Sequence, residues 1–259
     1  MHATNLTALI EARRPEASPL LFDRARAVSA AALVDEAAKL ARGLQSLGVR
    51  AGDRVAIWMP NVPAWLALFL ACARLGAIAV SVNTRFRSHE VADILGGAGA
   101  KVLAFWPAFK GLDFAGILSQ CEATAFERLE SIVVYSEAGD EAPPTVLHGK
   151  HVARYEALAN LAPHQGEPAA GDAGCVIFTT SGTTKAPKFV LHDQRTVIRH
   201  AFDVVRGFGL DAGSTMLLAP PLCGVFGFCC AMAARCRFAC TVSMRPSGGR
   251  RFPQVRRRC

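Results

Sequence analysis

Residues 52–82 read G-D-R-V-A-I-W-M-P-N-V-P-A-W-L-A-L-F-L-A-C-A-R-L-G-A-I-A-V-S-V. After the Gly52-Asp53 turn, R-V-A-I-W-M is a short apolar run of the kind found in strands buried on both faces. Pro60 and Pro63 interrupt it. The residues that follow, V-P-A-W-L-A-L-F-L-A-C-A-R-L, predict a helix apolar on nearly every side, which must therefore be enclosed. Gly76 stops that helix, and A-I-A-V-S-V supplies a second strand. Strand, helix, strand in this order implies a parallel pair joined by a crossover helix. The uncharged run 55–73 has almost the length of a membrane span, but the prolines cut it into a strand and a helix of about a dozen residues, too short to cross a bilayer. No membrane span is expected.

The pattern extends outward in both directions. In residues 29–47 the apolar positions Leu33, Ala37, Leu40, Leu44 and Leu47 make one helical stripe, with Ser29 placed to cap its start and Gly48 to end it. Beyond the second strand, Ser88 can cap a helix over H-E-V-A-D-I-L that stops at Gly96-Gly97. K-V-L-A-F-W and S-I-V-V-Y then read as further strands. Residues 137–171 are richer in Pro, Gly and His and read as a connection. C-V-I-F opens a new strand, Asp193 caps a helix with Val197, Ala201, Val204, Val205 and Phe208 on one face, and T-M-L-L-A-P-P is a strand stopped by two prolines. The expectation is a layered α/β fold with mainly parallel sheets and flanking helices. It divides into a first α/β lobe (1–136), a connection (137–171), the start of a second lobe (172–234) and a tail (235–259).

Composition bounds the function. Half of the 259 residues are hydrophobic and 19% are charged, enough for a large core. The net charge of +8 suggests nucleic acid until it is located: residues 235–259 hold eight arginines and no acid, and without them 21 basic residues face 21 acidic ones. No nucleic-acid partner is expected. Nine cysteines, six of them from Cys223 onward, suggest no disulfide framework. The start M-H-A-T-N-L-T-A-L-I-E-A-R-R has no apolar stretch of export-signal length, so a cytoplasmic protein with reduced thiols is expected. Cys229, Cys230, Cys236 and Cys240 lack a C-x-x-C pair and no histidine follows His200, which argues against a zinc site.

Chemistry concentrates in residues 178–192, F-T-T-S-G-T-T-K-A-P-K-F-V-L-H. A loop leaving a strand can turn its N–H groups towards one point, and glycine permits close approach of a ligand. The hydroxyls of Thr180, Ser181, Thr183 and Thr184 around Gly182 add neutral donors, and Lys188, stiffened by Pro187, offers a compact cation for a phosphate oxygen. The P-loop pattern G-x-x-x-x-G-K-[ST] is absent, since Gly182 has no second glycine five residues on. On the residues alone, a polar turn of a hairpin competes evenly with a phosphate site. His192 reads as a polar group at a strand end.

T-S-G-T-T-K-A-P-K-F-V resembles the phosphate-binding signature T-S-G-T-T-G-x-P-K-G-V of the adenylate-forming enzymes, the acyl-CoA synthetases in particular. G-D-R-V-A-I-W-M-P-N, A-R-L-G-A-I-A-V-S-V-N-T-R-F and A-P-P-L-C-G-V-F-G add to the likeness, which covers roughly residues 4–234. The resemblance implies an incomplete N-terminal domain of that fold. It implies ATP-dependent activation of a small-molecule carboxylic acid to an acyl-adenylate and transfer to coenzyme A, with Thr180, Ser181, Gly182, Thr183, Thr184 and Lys188 holding the β- and γ-phosphates with magnesium. Lys185 and Phe189 stand where the commoner pattern has glycine, and Gly224 where many members carry histidine. Phe226 and Gly227 could line an acyl pocket or be plain core. The family's later Y-G-x-T-E stretch, T-G-D aspartate and C-terminal lysine have no counterpart, so no catalytic residue is assigned and the chain reads as a truncated, catalytically incompetent fragment. A nucleotide- or partner-binding module without turnover is the alternative. The tail from Arg235 reads as the product of a shifted frame, with little order expected of its eight like charges.

Overall fold

The computed structural model describes residues 3–16, 18–23, 26–109, 112–138, 140, 145–180, 187–211, 214–232 and 237–240. Its centre is an eight-stranded sheet. The strands run in the order Lys188–Asp193, Gly174–Thr180, Ile78–Ser81, Arg54–Trp58, Val102–Phe105, Ser131–Val134, Lys150–Arg154 and Val146–Leu147. The six inner strands are mutually parallel, and only the two edge strands pair antiparallel. The segment after residue 171 thus adds its first strand to the sheet begun by residues 54–58, with Val176 opposite Ala79.

Helix Pro63–Leu75 is enclosed as its composition demands: every residue from Pro63 to Ala73 is buried. The sheet lies on one side of it and helix Ala30–Ser46 on the other, with Leu40 and Leu44 of the latter fully buried. Ser29 caps the outer helix by accepting the Ala32 N–H at 3.1 Å. Gly76 ends the inner helix at φ 71°, a left-handed conformation that any side chain would strain. Helix Gln194–Gly207 packs on this same face. Its Gln194 is fully buried, accepting from the Leu6 N–H at 2.9 Å and donating to the Ala73 carbonyl at 3.0 Å, so three helices are tied through one amide.

The opposite face carries helices Ser88–Ala98 and Phe114–Ser119 over a second cluster containing Trp58, Phe105 and Phe114. The first of these departs from expectation at both ends. It begins at Ser88, with Arg87 as cap residue whose N–H bonds Glu90 at 3.0 Å, and it runs through Gly96-Gly97 to a left-handed Gly99.

A four-stranded sheet stands apart, in the order Thr215–Leu218, Arg237–Cys240, Leu21–Asp23, Arg26–Val28. Here the tail differs from the reading of its charge. Arg237–Cys240 is a strand with parallel neighbours on both sides, Met216 and Leu21 both opposite Phe238. Four residues with one charge suffice to join Thr215–Leu218, which has no other strand partner among the described residues, to the Leu21–Asp23 hairpin, whatever follows them. Among the described residues no helix is long and apolar enough to cross a membrane.

Candidate functional site

The hydroxyl-rich segment sits at the sheet's edge. Strand Gly174–Thr180 pairs antiparallel with Lys188–Asp193, Phe178 opposite Val190, Thr179 opposite Phe189 and Thr180 opposite Lys188. The first strand therefore runs two residues past C-V-I-F, because β-branched Thr179 and Thr180 suit extended backbone. Thr180 and Lys188 are strand ends facing each other and not loop residues, so their Cβ atoms stand within about 5.5 Å. Both are exposed. Ser181, Gly182, Thr183, Thr184 and Lys185 lie outside the described residues.

Alternation gives the hairpin two faces. Phe178 points to the layer of helix Pro63–Leu75, its ring 5.2 Å from Phe228, and Thr180 and Lys188 share that face. Ile177 points to the layer of helix Ser88–Ala98, and Thr179 and Phe189 share its face.

Strand Gly174–Thr180 leaves the sheet at the same edge as its parallel neighbours, the carboxyl edge, where ligands of open α/β sheets bind. Three quoted motifs meet there. Asn61, just after Arg54–Trp58, donates to the carbonyls of Leu218 (3.2 Å) and Pro220 (2.9 Å) and accepts from the Leu222 N–H (2.7 Å). Trp58 donates through Nε1 to the Asn83 carbonyl at 3.2 Å, which fixes N-T-R-F beside it. Gly227 is required where it stands, since a Cβ there would overlap the Pro221 carbonyl. Phe226 is not core: it is 56% exposed and its ring lies 6.3 Å from that of Phe208, itself exposed. Gly224 donates to Pro221 O at 3.0 Å and presents no side chain. Sequence reasoning missed Asn61, whose only signal was a lone amide between the strand and the helix prolines.

The electrostatics favour holding an anion over nucleophilic chemistry. Lys188 makes no ion pair among the described residues. Asp193, at the far end of its strand, is engaged as a helix cap: the Thr196 N–H at 2.7 Å holds its carboxyl below the usual range. Burial pushes the Cys72 thiol up to about 12 and the Cys223 thiol, against the Thr84 backbone, up to about 11, and raises that of Cys175 further, so these remain protonated. His192 has its ring 5.8 Å from Phe178. No group of His, Cys, Asp and Glu among the described residues could hold a metal.

A cavity of about 680 Å³ lies at the other end of the same edge, lined by Tyr135, Glu137, Tyr155 and Glu36 among others. Neither Thr180 nor Lys188 lines it. Four strand spacings, roughly 19 Å, separate Gly174–Thr180 from Ser131–Val134 beside it. Tyr155 donates to Glu36 at 2.7 Å there, and burial followed by the Glu36 charge pushes its phenol well up.

Residues 9–257 match the AMP-binding enzyme family, so the likeness runs on through the arginine-rich end and does not stop at Ala234. Medium-chain acyl-CoA ligase ACSF2, mitochondrial, of Rattus norvegicus is 33% identical over 183 residues, covering 66% of this chain and 30% of that protein. Among solved structures, the anthranilate CoA ligase AuaEII in complex with anthranoyl-AMP superposes with a TM-score of 0.77 at 23% identity, over 94% of this chain and 46% of its own. The inhibitor-bound N-terminal domain of FACL13 from Mycobacterium tuberculosis superposes with a TM-score of 0.75 at 25% identity, over 91% and 57%. The chain spans about 30% of the length of the curated relative and about half that of the solved ones.

Proposed function

The chain belongs to the AMP-binding enzyme family, and from that premise we propose that it carries the triphosphate-holding part of an ATP-dependent acid–CoA ligase. The observation that carries the reading is the exposed Thr180–Lys188 pair at the carboxyl edge of the sheet. A hydroxyl donor and an ammonium side by side fit a phosphate oxygen, and no acid among the described residues is paired to that ammonium to compete for it. Magnesium would arrive with the nucleotide, since no cluster of three or more His, Cys, Asp or Glu residues stands among the described residues to hold it beforehand. The bound nucleotide would supply the leaving group that a carboxylate lacks. This chain's residues would hold the β- and γ-phosphates, Lys188 offsetting their charge.

Positioning of reacting groups can supply about 7–11 kcal/mol of a barrier. Holding the triphosphate is only one part of that positioning, so residues 1–259 tested by themselves should bind MgATP weakly and form no acyl-CoA. A binding module without turnover is the second reading, favoured by the three apolar residues, Phe189, Val190 and Leu191, left part-exposed along the edge. Acid-dependent exchange of labelled pyrophosphate into ATP, run beside Lys188→Ala, tests the proposal. No exchange, with calorimetric MgATP binding that the substitution weakens about tenfold, is expected. Robust exchange abolished by the substitution would make the chain a working enzyme.

A further inference from the structure

Phe189 occupies the position where the commoner signature has glycine, and the sheet turns it towards helix Ser88–Ala98. Its ring lies over Gly97. A Cβ on Gly97 would stand 2.9 Å from Phe189 Cε2 and 3.0 Å from Cζ, closer than side chains tolerate, whereas one on Gly96 would meet only the Ala125 Cα at 3.6 Å, an ordinary contact. Glycine inside a helix is destabilising relative to alanine, so its presence asks for a reason. Gly96 has no steric reason to be glycine. Gly97 does, and that reason is the aromatic ring. Beside the ring, Pro187 and Phe189 form one wall of a cleft of about 420 Å³, with Ala92, Gly97 and Ala125 opposite.

The consequence concerns Lys188. Its strand is the outermost of the sheet, hydrogen-bonded on one side only, so nothing in the sheet holds its outer flank. The ammonium projects from one face while the very next side chain, on the other face, is seated against a helix. We propose that Phe189, resting on Gly97, is a positioning residue that fixes the hairpin mouth and thereby the direction from which Lys188 and Thr180 meet a phosphate. This rests on the phosphate-holding reading above. The ring replaces the flexibility that a glycine would give the strand with a contact to a rigid helix, so the ammonium is held in place before the anion arrives.

The steric relation is reciprocal, which makes it testable by a double-mutant cycle read in calorimetric affinity for MgATP and in hydrogen exchange of the Thr179 and Phe189 amides. Gly97→Ala should lift the ring, weaken MgATP binding about tenfold and speed exchange at those amides. Phe189→Ala should weaken binding several-fold. In the Gly97→Ala/Phe189→Ala protein the clash is gone, so its affinity should equal that of Phe189→Ala within about twofold. Gly96→Ala should change neither readout, which controls for helix stiffening. A ring that served only as packing would move the denaturation midpoint and leave affinity unchanged. That result, or equal effects of Gly96→Ala and Gly97→Ala, overturns the proposal while leaving the phosphate reading intact. If the unsubstituted chain shows no MgATP binding, the phosphate reading fails and the positioning role falls with it.

Discussion

Helix Pro63–Leu75 and strand Lys188–Asp193 are both rich in large apolar residues, and they meet opposite fates. The helix hides Trp65, Leu68 and Phe69 completely, while the strand leaves Phe189, Val190 and Leu191 at 37, 39 and 54% exposure. Topology makes the difference. The helix lies between the sheet and a second layer of helices, whereas the strand is the outermost of its sheet and has one neighbour in it. In the helix, side-chain size is spent on packing. At the edge, the same residue types flank Lys188, which makes no ion pair among the described residues, and under the proposal above they hold and present its ammonium.

That contrast breaks most readily at Trp65, whose ring lies 6.1 Å from Phe69 and 6.0 Å from Phe228. Trp65→Ala should cost about 3–5 kcal/mol in urea denaturation, while Leu191→Ala should stay within about 0.5 kcal/mol. Equal losses at the two sites would show that the edge is covered in solution. A smaller effect is expected at Gln194, where a buried amide joins Leu6 to Ala73. Gln194→Leu leaves the Leu6 N–H without its buried partner and the Ala73 carbonyl with only the Gly76 N–H at 3.3 Å, so a loss of about 1–3 kcal/mol should appear in the same assay, with MgATP affinity unchanged. At the edge the two readouts trade places: Lys188→Ala should lower MgATP affinity about tenfold, or about 1.4 kcal/mol, and leave the denaturation midpoint where it was. A shifted midpoint would give Lys188 a structural role that its exposure argues against.

The same contrast explains what could be read in the sequence. Burial writes itself as pattern, so the run from Arg54 to Ser81 and the stripe in helix Ala30–Ser46 were legible strand by strand and turn by turn. Glycine was misleading once. Gly96-Gly97 looked like a helix stop, but Gly97 answers to a ring 92 positions later in the chain, and the stop is Gly99 at φ 60°. Asn61 was illegible for the same reason, its partners being 157 to 161 residues away. The strand Arg237–Cys240 was hidden by the charges around it, because its order is imposed by the strands on either side. At the candidate site, Thr180 and Lys188 were legible as chemistry, and their cross-strand pairing was not, because the hydroxyl-rich run read as a loop and the pairing is set by the returning strand Lys188–Asp193.

The smallest expected effect lies at the amino edge of the sheet, opposite the hairpin mouth, and it sharpens the comparison by involving charges that are partnered. Asp53 accepts from the Arg50 N–H at 2.9 Å and from the Lys101 ammonium at 3.0 Å, and Lys101 also donates to the Gly48 carbonyl at 2.8 Å. Burial pushes the Asp53 carboxyl up, but the Arg50 and Lys101 hydrogen bonds and the charges of Lys101 and Arg54 together outweigh it and bring it below the ordinary aspartate range. A depressed folded pKa stabilises the protein above the unfolded value, near 3.9, and that contribution is lost as pH falls through the folded one. The groups are partly exposed, so the contribution is at most about 1 kcal/mol and weakens with salt. Urea midpoints of Asp53→Asn and of the unsubstituted chain should therefore differ at pH 7 and converge as the pH falls below about 4. A gap that persists unchanged in acid would mean that the shape of the Asp53 side chain, and not its charge, holds this turn.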